Sequence, residues 1–175
     1  MDLHAFDAAP AAELTPLLLA CCDVPSWADA VTAGRPYGDV DTLLAASDTA
    51  AARWTPADVD RALAAHPRIG ETAHRAGPEA ARSPAEQAAV DPDAAAAARL
   101  AAGNRAYEQR FGRVFLVCAT GRTAPEVLAE LDRRLTADDA TEAATVATEL
   151  AAIARLRLTR LVTPTPGTAL LGGRS

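Results

Sequence analysis

Val114-Phe115-Leu116-Val117-Cys118-Ala119 is the most apolar stretch of the chain and the one on which its fold class turns. Gly112 and Gly121 bound it. Six apolar residues between turn signals fit a strand buried on both faces, and they fit a short buried helix equally well, because a continuous run carries no period. A strand here would make the protein mixed; without one, nothing else in the chain asks for a sheet.

On either side the sequence reads as helix. Alanine, the best helix former, supplies much of a hydrophobic fraction of 50%, and aromatic residues make up only 4% of the 175 residues. Residues 11–22 place Leu14, Leu17, Leu18 and Cys21 at i, i+3, i+4 and i+7, one helical face. Ser26 is positioned to cap a short helix running through Val31, and Gly34 to Gly38 form a turn around Arg35-Pro36. A helix follows from about Asp41 to Trp54, with Leu43, Leu44 and Ala51 facing the core. Thr55, Pro56 and Asp58 then give a cap, an N1 proline and a near capping box for a helix ending at His66. Ser83-Pro84-Ala85-Glu86 is a second box, and Asp91-Pro92 opens a long helix that stops at Gly112. Thr123 to Glu126 is a third, starting a helix with Val127, Leu128, Leu131 and Leu135 apolar. The last helix spans about Ala137 to Val162 and carries Leu150, Ile153, Leu156, Leu161 and Val162. Trp27, Tyr107 and Phe111 read as core, and Arg35-Pro36 as structural.

Charge and cysteine usage narrow the function. All 17 basic residues are arginine, and against 23 acidic residues the net charge is −6, which argues against a nucleic-acid partner. No apolar run approaches the roughly 20 residues of a membrane span, and the acidic start MDLHAFDAAPAAEL lacks the positive charge of a signal peptide. Three cysteines, two of them adjacent at Cys21 and Cys22, make no disulfide framework and no metal site. The expectation is a cytoplasmic protein without a membrane partner. The chain ends in Gly-Gly-Arg-Ser, which is no peroxisomal address.

The stretch with the most chemistry is His66-Pro67-Arg68-Ile69-Gly70-Glu71. Pro67 removes an amide donor and steers His66 out of the helical region, and Gly70 permits a turn, so the imidazole projects from a helix C-terminus. The helix dipole there favours its protonated form, which suits a proton-transfer group. The same residues also fit an ordinary helix stop with an exposed, idle histidine. His74 and His4 read as solvent residues, and Arg68 as an ion-pair former.

Several ordered motifs carry a resemblance. They are Cys21-Cys22 with Pro25-Ser26-Trp27-Ala28, Arg35-Pro36, His66 to Glu71, Ser83 with Glu86-Gln87, Asn104 with Tyr107 and Arg110-Phe111-Gly112, Phe115 to Arg122, and Ala154 to Leu158. Together they cover most of residues 6–162 and resemble the OHCU decarboxylase family, whose substrate is 2-oxo-4-hydroxy-4-carboxy-5-ureidoimidazoline (OHCU), an intermediate between urate and allantoin. The resemblance implies an all-α, single-domain compact bundle of roughly seven to nine helices over residues 1–162, with a flexible tail over 163–175. It tips Val114 to Ala119 toward helix or irregular turn. It implies decarboxylation of OHCU to (S)-allantoin with no cofactor and no metal, and a homodimer. It assigns His66 and Glu86 as catalytic. Pro67, Ser83, Gln87, Phe115, Leu116, Val117, Cys118, Ala119 and Arg157 would bind substrate, with Arg155 or Arg122 as alternatives for meeting its carboxylate. Two rival readings stand beside this: a decarboxylase or hydrolase of another ureido compound, and a non-catalytic helical binding module on the same scaffold.

Overall fold

A computed structural model describes residues 1–66 and 94–163. Among these residues every regular element is a helix: α1 (Leu3–Ala8), α2 (Ala11–Cys21), α3 (Pro25–Ala33), α4 (Val40–Ala51), α5 (Pro56–Ala64), α6 (Ala94–Phe111), α7 (Ala124–Arg134) and α8 (Asp139–Val162). The all-α expectation holds. None of these helices is long and apolar enough to cross a membrane.

The helix starts follow from local chemistry. Thr55 and Thr123 each complete a reciprocal box, with Asp58 and Glu126 reaching back to the cap backbone. Asp39 and Asp138 cap α4 and α8 by accepting backbone N–H bonds, from Thr42 at 2.7 Å and from Thr141 at 2.9 Å. Three expected boundaries shift. Ser26 caps nothing: Pro25 takes the N1 position, so Val24 occupies the cap and Ser26 lies inside α3. α4 begins one residue earlier than expected, at Val40, and ends at Ala51, three residues short of Trp54. α8 begins at Asp139, behind its Asp138 cap, and not at Ala137.

Among the described residues the apolar side chains gather into two cores. The larger gathers Phe6 of α1, Leu14, Leu18 and Cys21 of α2, Trp27 and Val31 of α3, Leu43 and Leu44 of α4, Val59, Ala62 and Leu63 of α5, and Val146, Leu150, Ile153, Ala154, Leu158 and Val162 of α8. α8 is thus the central post on which α2, α4 and α5 pack. The smaller core joins Leu100 and Tyr107 of α6 to Val127, Leu128 and Leu131 of α7. Arg35 behaves as the structural residue expected: its guanidinium donates to the carbonyls of Phe6 (3.0 Å), Ala9 (2.6 Å) and Thr32 (2.9 Å), tying the α1–α2 connection to the end of α3. Cys21 and Cys22 are buried thiols.

The capping carboxylates make stability depend on acid. Asp39, Glu126 and Asp138 are held below the ordinary carboxylate range chiefly by backbone N–H donors, and Asp58 chiefly by the Thr55 hydroxyl. A depressed folded pKa contributes stability that is present above the unfolded value, about 4, and is lost as pH falls through the folded one. The doubly substituted Asp39→Asn/Asp138→Asn chain keeps two good caps but cannot titrate there. Its melting temperature is expected to match wild type closely at pH 7 and to fall less than wild type between pH 5 and pH 3. Equal acid sensitivity of the two chains would remove these caps from the account.

Candidate active site

α5 delivers His66. After Ala64 the backbone tightens, with Ala65 N–H donating to Ala62 O at 3.2 Å and His66 N–H to Leu63 O at 3.0 Å. The half-buried imidazole then folds back, its Nδ1 lying 2.8 Å from the carbonyl oxygen of Ala62. A carbonyl only accepts, so Nδ1 carries the proton, and in the neutral ring Nε2 is the basic nitrogen. The end of α5 therefore fixes both the orientation and the tautomer of His66. Pro67, Arg68, His74, Ser83, Glu86 and Gln87 lie outside the described residues.

The segment Val114–Ala119 is neither helix nor strand. Its side chains alternate all the same. Phe115 and Val117 belong to the smaller core, whereas Leu116 belongs to the larger one, with Val114 and Cys118 packed against it. It is a ribbon threaded between the two cores, buried on both faces, and bounded by Gly112 (φ 67°) and Gly121 (φ 81°) in the left-handed region. Phe115, Leu116, Val117 and Ala119 are buried and Cys118 half-buried.

A buried segment without a ladder must satisfy its backbone elsewhere. Here two charged side chains do so. Arg134 of α7 donates from Nη1 to the Leu116 carbonyl at 2.5 Å. Glu149 of α8 accepts the Cys118 N–H at Oε2, 2.7 Å away, and Arg122 Nη2 at Oε1, 3.2 Å away. Arg134 is itself paired with Glu142, donating from Nε at 2.8 Å and also from Nη2, and Tyr107 donates its hydroxyl to the same Glu142 oxygen. Burial, and then the bond to Glu142, push the Tyr107 phenol pKa up, so the phenol stays a donor at neutral pH. Burial opposes the charge on Arg134, but the Glu142 carboxylate and the Tyr107 oxygen outweigh it and raise its pKa. Its guanidinium also stacks over the Phe115 ring, 4.9 Å from the centroid.

Sequence reasoning passed over Arg134, Glu142 and Glu149. The signal was present: Arg134 follows Leu131 by three on the apolar stripe of α7, and Glu142 and Glu149 flank Val146 on that of α8. A charge on a stripe that is otherwise core asks for a buried partner.

The three candidate arginines separate. Arg155 is exposed and pairs with Asp48. Arg122 pairs with Glu149. Arg157 is buried on α8 and donates from Nη1 to the Cys21 carbonyl at the end of α2, 3.0 Å away. Leu63, three residues before His66, Ala154, three before Arg157, and Leu116 of the ribbon share the larger core. The elements carrying these candidate residues therefore converge on one body. Among the described residues no group of three histidine, cysteine or acidic side chains is placed to hold a metal ion.

Comparison with known proteins agrees with this architecture. The family model described as OHCU decarboxylase matches residues 7–159. Over 145 residues the chain is 31% identical to a uric acid degradation bifunctional protein of Arabidopsis thaliana; the match covers 81% of the chain and 45% of that longer protein. It is 28% identical to 2-oxo-4-hydroxy-4-carboxy-5-ureidoimidazoline decarboxylase of Haloferax volcanii, over 77% of the chain and 79% of the relative. The enzyme of the same description from Amia calva is 30% identical, over 79% of the chain and 81% of the relative. A crystal structure of OHCU decarboxylase in the presence of (S)-allantoin superposes with a TM-score of 0.70 at 27% identity, covering 82% of the chain and 95% of that structure. A crystal structure of (S)-allantoin synthase shares the fold, with a TM-score of 0.67 at 20% identity, over 91% of the chain and 54% of that structure.

Proposed function

The chain belongs to the OHCU decarboxylase family, and we propose that it catalyses the decarboxylation of OHCU to (S)-allantoin in urate degradation. The observation that carries the reading is the match to the OHCU decarboxylase structure in the presence of (S)-allantoin, which takes in 95% of that chain.

The chemistry asks for little beyond positioning and proton transfer. One ring carbon of the substrate bears the carboxylate and a hydroxyl; the neighbouring carbon bears the ureido group and is doubly bonded to a ring nitrogen. When the carbon–carboxylate bond breaks, CO2 leaves and its electron pair forms a double bond between the two ring carbons, while the ring nitrogen takes up a proton. The resulting enol loses its hydroxyl proton and gains one at the ureido-bearing carbon. The face that receives this last proton sets the S configuration.

His66 suits the hydroxyl. With Nδ1 committed to the Ala62 carbonyl, Nε2 is the nitrogen that polarises the hydroxyl and takes its proton. In this reading Glu86 binds ring or ureido N–H groups, Ser83 and Gln87 hold polar substrate atoms, and Pro67 adds a contact to the substrate. Arg157 supplies a guanidinium to the carboxylate from its buried place on α8. Phe115 to Ala119 line the substrate as a preformed wall, held by Arg134 and Glu149. No cofactor takes part. The active form is a homodimer in the cytoplasm, and light scattering on a sizing column tests the assembly.

A coupled assay tests the function. Urate oxidase and the hydrolase that follows it generate OHCU in place, and circular dichroism follows allantoin. Rapid appearance of the S enantiomer above the slow racemic background is the expected result. Folded protein that leaves the background unchanged would turn attention to CO2 release from other ureido acids.

A further inference from the structure

We propose that Glu149 is a positioning residue for this reaction: its carboxylate fixes the Cys118–Arg122 turn and thereby the wall against which the substrate ring is held. The inference rests on the decarboxylase reading and goes beyond it, since Glu149 is reached from the packing alone.

Glu149 lies where α8 faces the interior, between Val146 and Leu150, and is 8% exposed. An apolar residue would serve packing better there, because a carboxylate removed from water is costly unless its oxygens are engaged. Both are. Oε2 accepts the Cys118 N–H at 2.7 Å, a charge-assisted bond, and Oε1 meets Arg122 Nη2 at 3.2 Å. Between those two points the chain makes a turn closed by Arg122 N–H donating to Ala119 O at 3.0 Å, with Gly121 at φ 81°. One carboxylate therefore grips both ends of one turn.

The other side of the ribbon is gripped as well, since Arg134 holds the Leu116 carbonyl at 2.5 Å. The Val117 residue is strung between two charged clamps that come from different helices. A hydrophobic segment packed by shape alone slides along its groove by fractions of an ångström at little cost. Two charged bonds to backbone groups on either side of Val117 remove that freedom. For a reaction whose stereochemistry depends on which face of a planar intermediate receives a proton, a fixed wall governs both rate and configuration. Misplacement by about 1 Å can cost about a hundredfold in rate.

The experiment uses the full-length chain with wild type, Glu149→Ala, Glu149→Gln and Glu149→Asp, each assayed well below its own melting temperature for KM, kcat and the enantiomeric composition of allantoin. Glutamine keeps the reach and one acceptor, enough for the Cys118 N–H but not for Arg122 as well; aspartate keeps the charge but is one methylene short. The expected order of kcat/KM is wild type, then glutamine down about three- to tenfold, then aspartate, then alanine down about 10- to 100-fold with an eroded S excess. Alanine equal to wild type in rate and S excess overturns the proposal. So does a glutamine variant as impaired as alanine, or losses confined to melting temperature. If alanine does not fold, aspartate equal to or better than glutamine overturns it. Wild type that leaves OHCU at its background rate defeats the decarboxylase reading itself, a result separable from every variant outcome.

Discussion

Replacing His66 with glutamine is expected to lower kcat by about 10²- to 10⁴-fold while leaving the fold intact, the range spanned by loss of one positioned acid–base group. The Nδ1–Ala62 bond at 2.8 Å leaves Nε2 as the single nitrogen of the neutral ring able to accept a proton. Glutamine can still donate to a carbonyl but has no basic nitrogen. The melting temperature should change little, because the half-buried ring closes the end of α5 and is not part of the larger core, which on this helix stops at Leu63.

Two controls make the result specific. The pH profile of wild-type kcat/KM should contain an ionisation that the glutamine variant lacks. The variant should also bind allantoin with an affinity close to wild type, since its loss falls on proton transfer. If His66→Gln turns over OHCU within threefold of wild type, His66 is the ordinary helix stop that its hexapeptide alone also permits, and the proton carrier must be sought among the residues after Pro67.

The capped helices and most core positions were legible because their causes are local. Thr55 with Asp58 and Thr123 with Glu126 announce helix starts within four residues, and Leu14, Leu18 and Cys21 announce a face within eight. Ser26 misled because proline at N1 outweighs a serine one position further on. The ribbon was illegible for a physical reason. Burial on both faces erases the alternation that would have marked its extended course, and the groups that satisfy its backbone are distant in sequence: Arg134 lies 18 residues from Leu116 and Glu149 lies 31 from Cys118. Arg157 was reached through the family's motif and not through spacing, since Arg155 has equal local claim. Only the tertiary structure shows Arg155 on the surface with Asp48 and Arg157 in the interior. For Ser83, Glu86 and Gln87 the motif remains the whole argument.

The second large effect concerns the ion pair behind that ribbon. Arg134→Met is expected to destabilise the protein by about 3–5 kcal/mol, the usual result of stripping one partner from a buried pair. Glu142 is 1% exposed, and its Oε1 accepts from Tyr107 and from two nitrogens of Arg134. Its Oε2 is buried with no partner among the described residues. Removing Arg134 would leave that carboxylate with a phenol as its hydrogen-bond donor and would also orphan the Leu116 carbonyl. Against a total stability of about 5–15 kcal/mol, that loss is a large share of what holds the fold together. The double variant Arg134→Met/Glu142→Leu removes both charges, so it should lose clearly less than the sum of the two single losses, a coupling of about 1–3 kcal/mol. Urea melts with unchanged slope measure all four corners of the cycle. Additive losses would mean that the two charges do not sense each other. A double variant that recovers stability but not turnover would place the Arg134–Leu116 bond in service of the wall. The ion pair would then be kept for the position it imposes on residues 116–119 and not for the energy it adds to the fold.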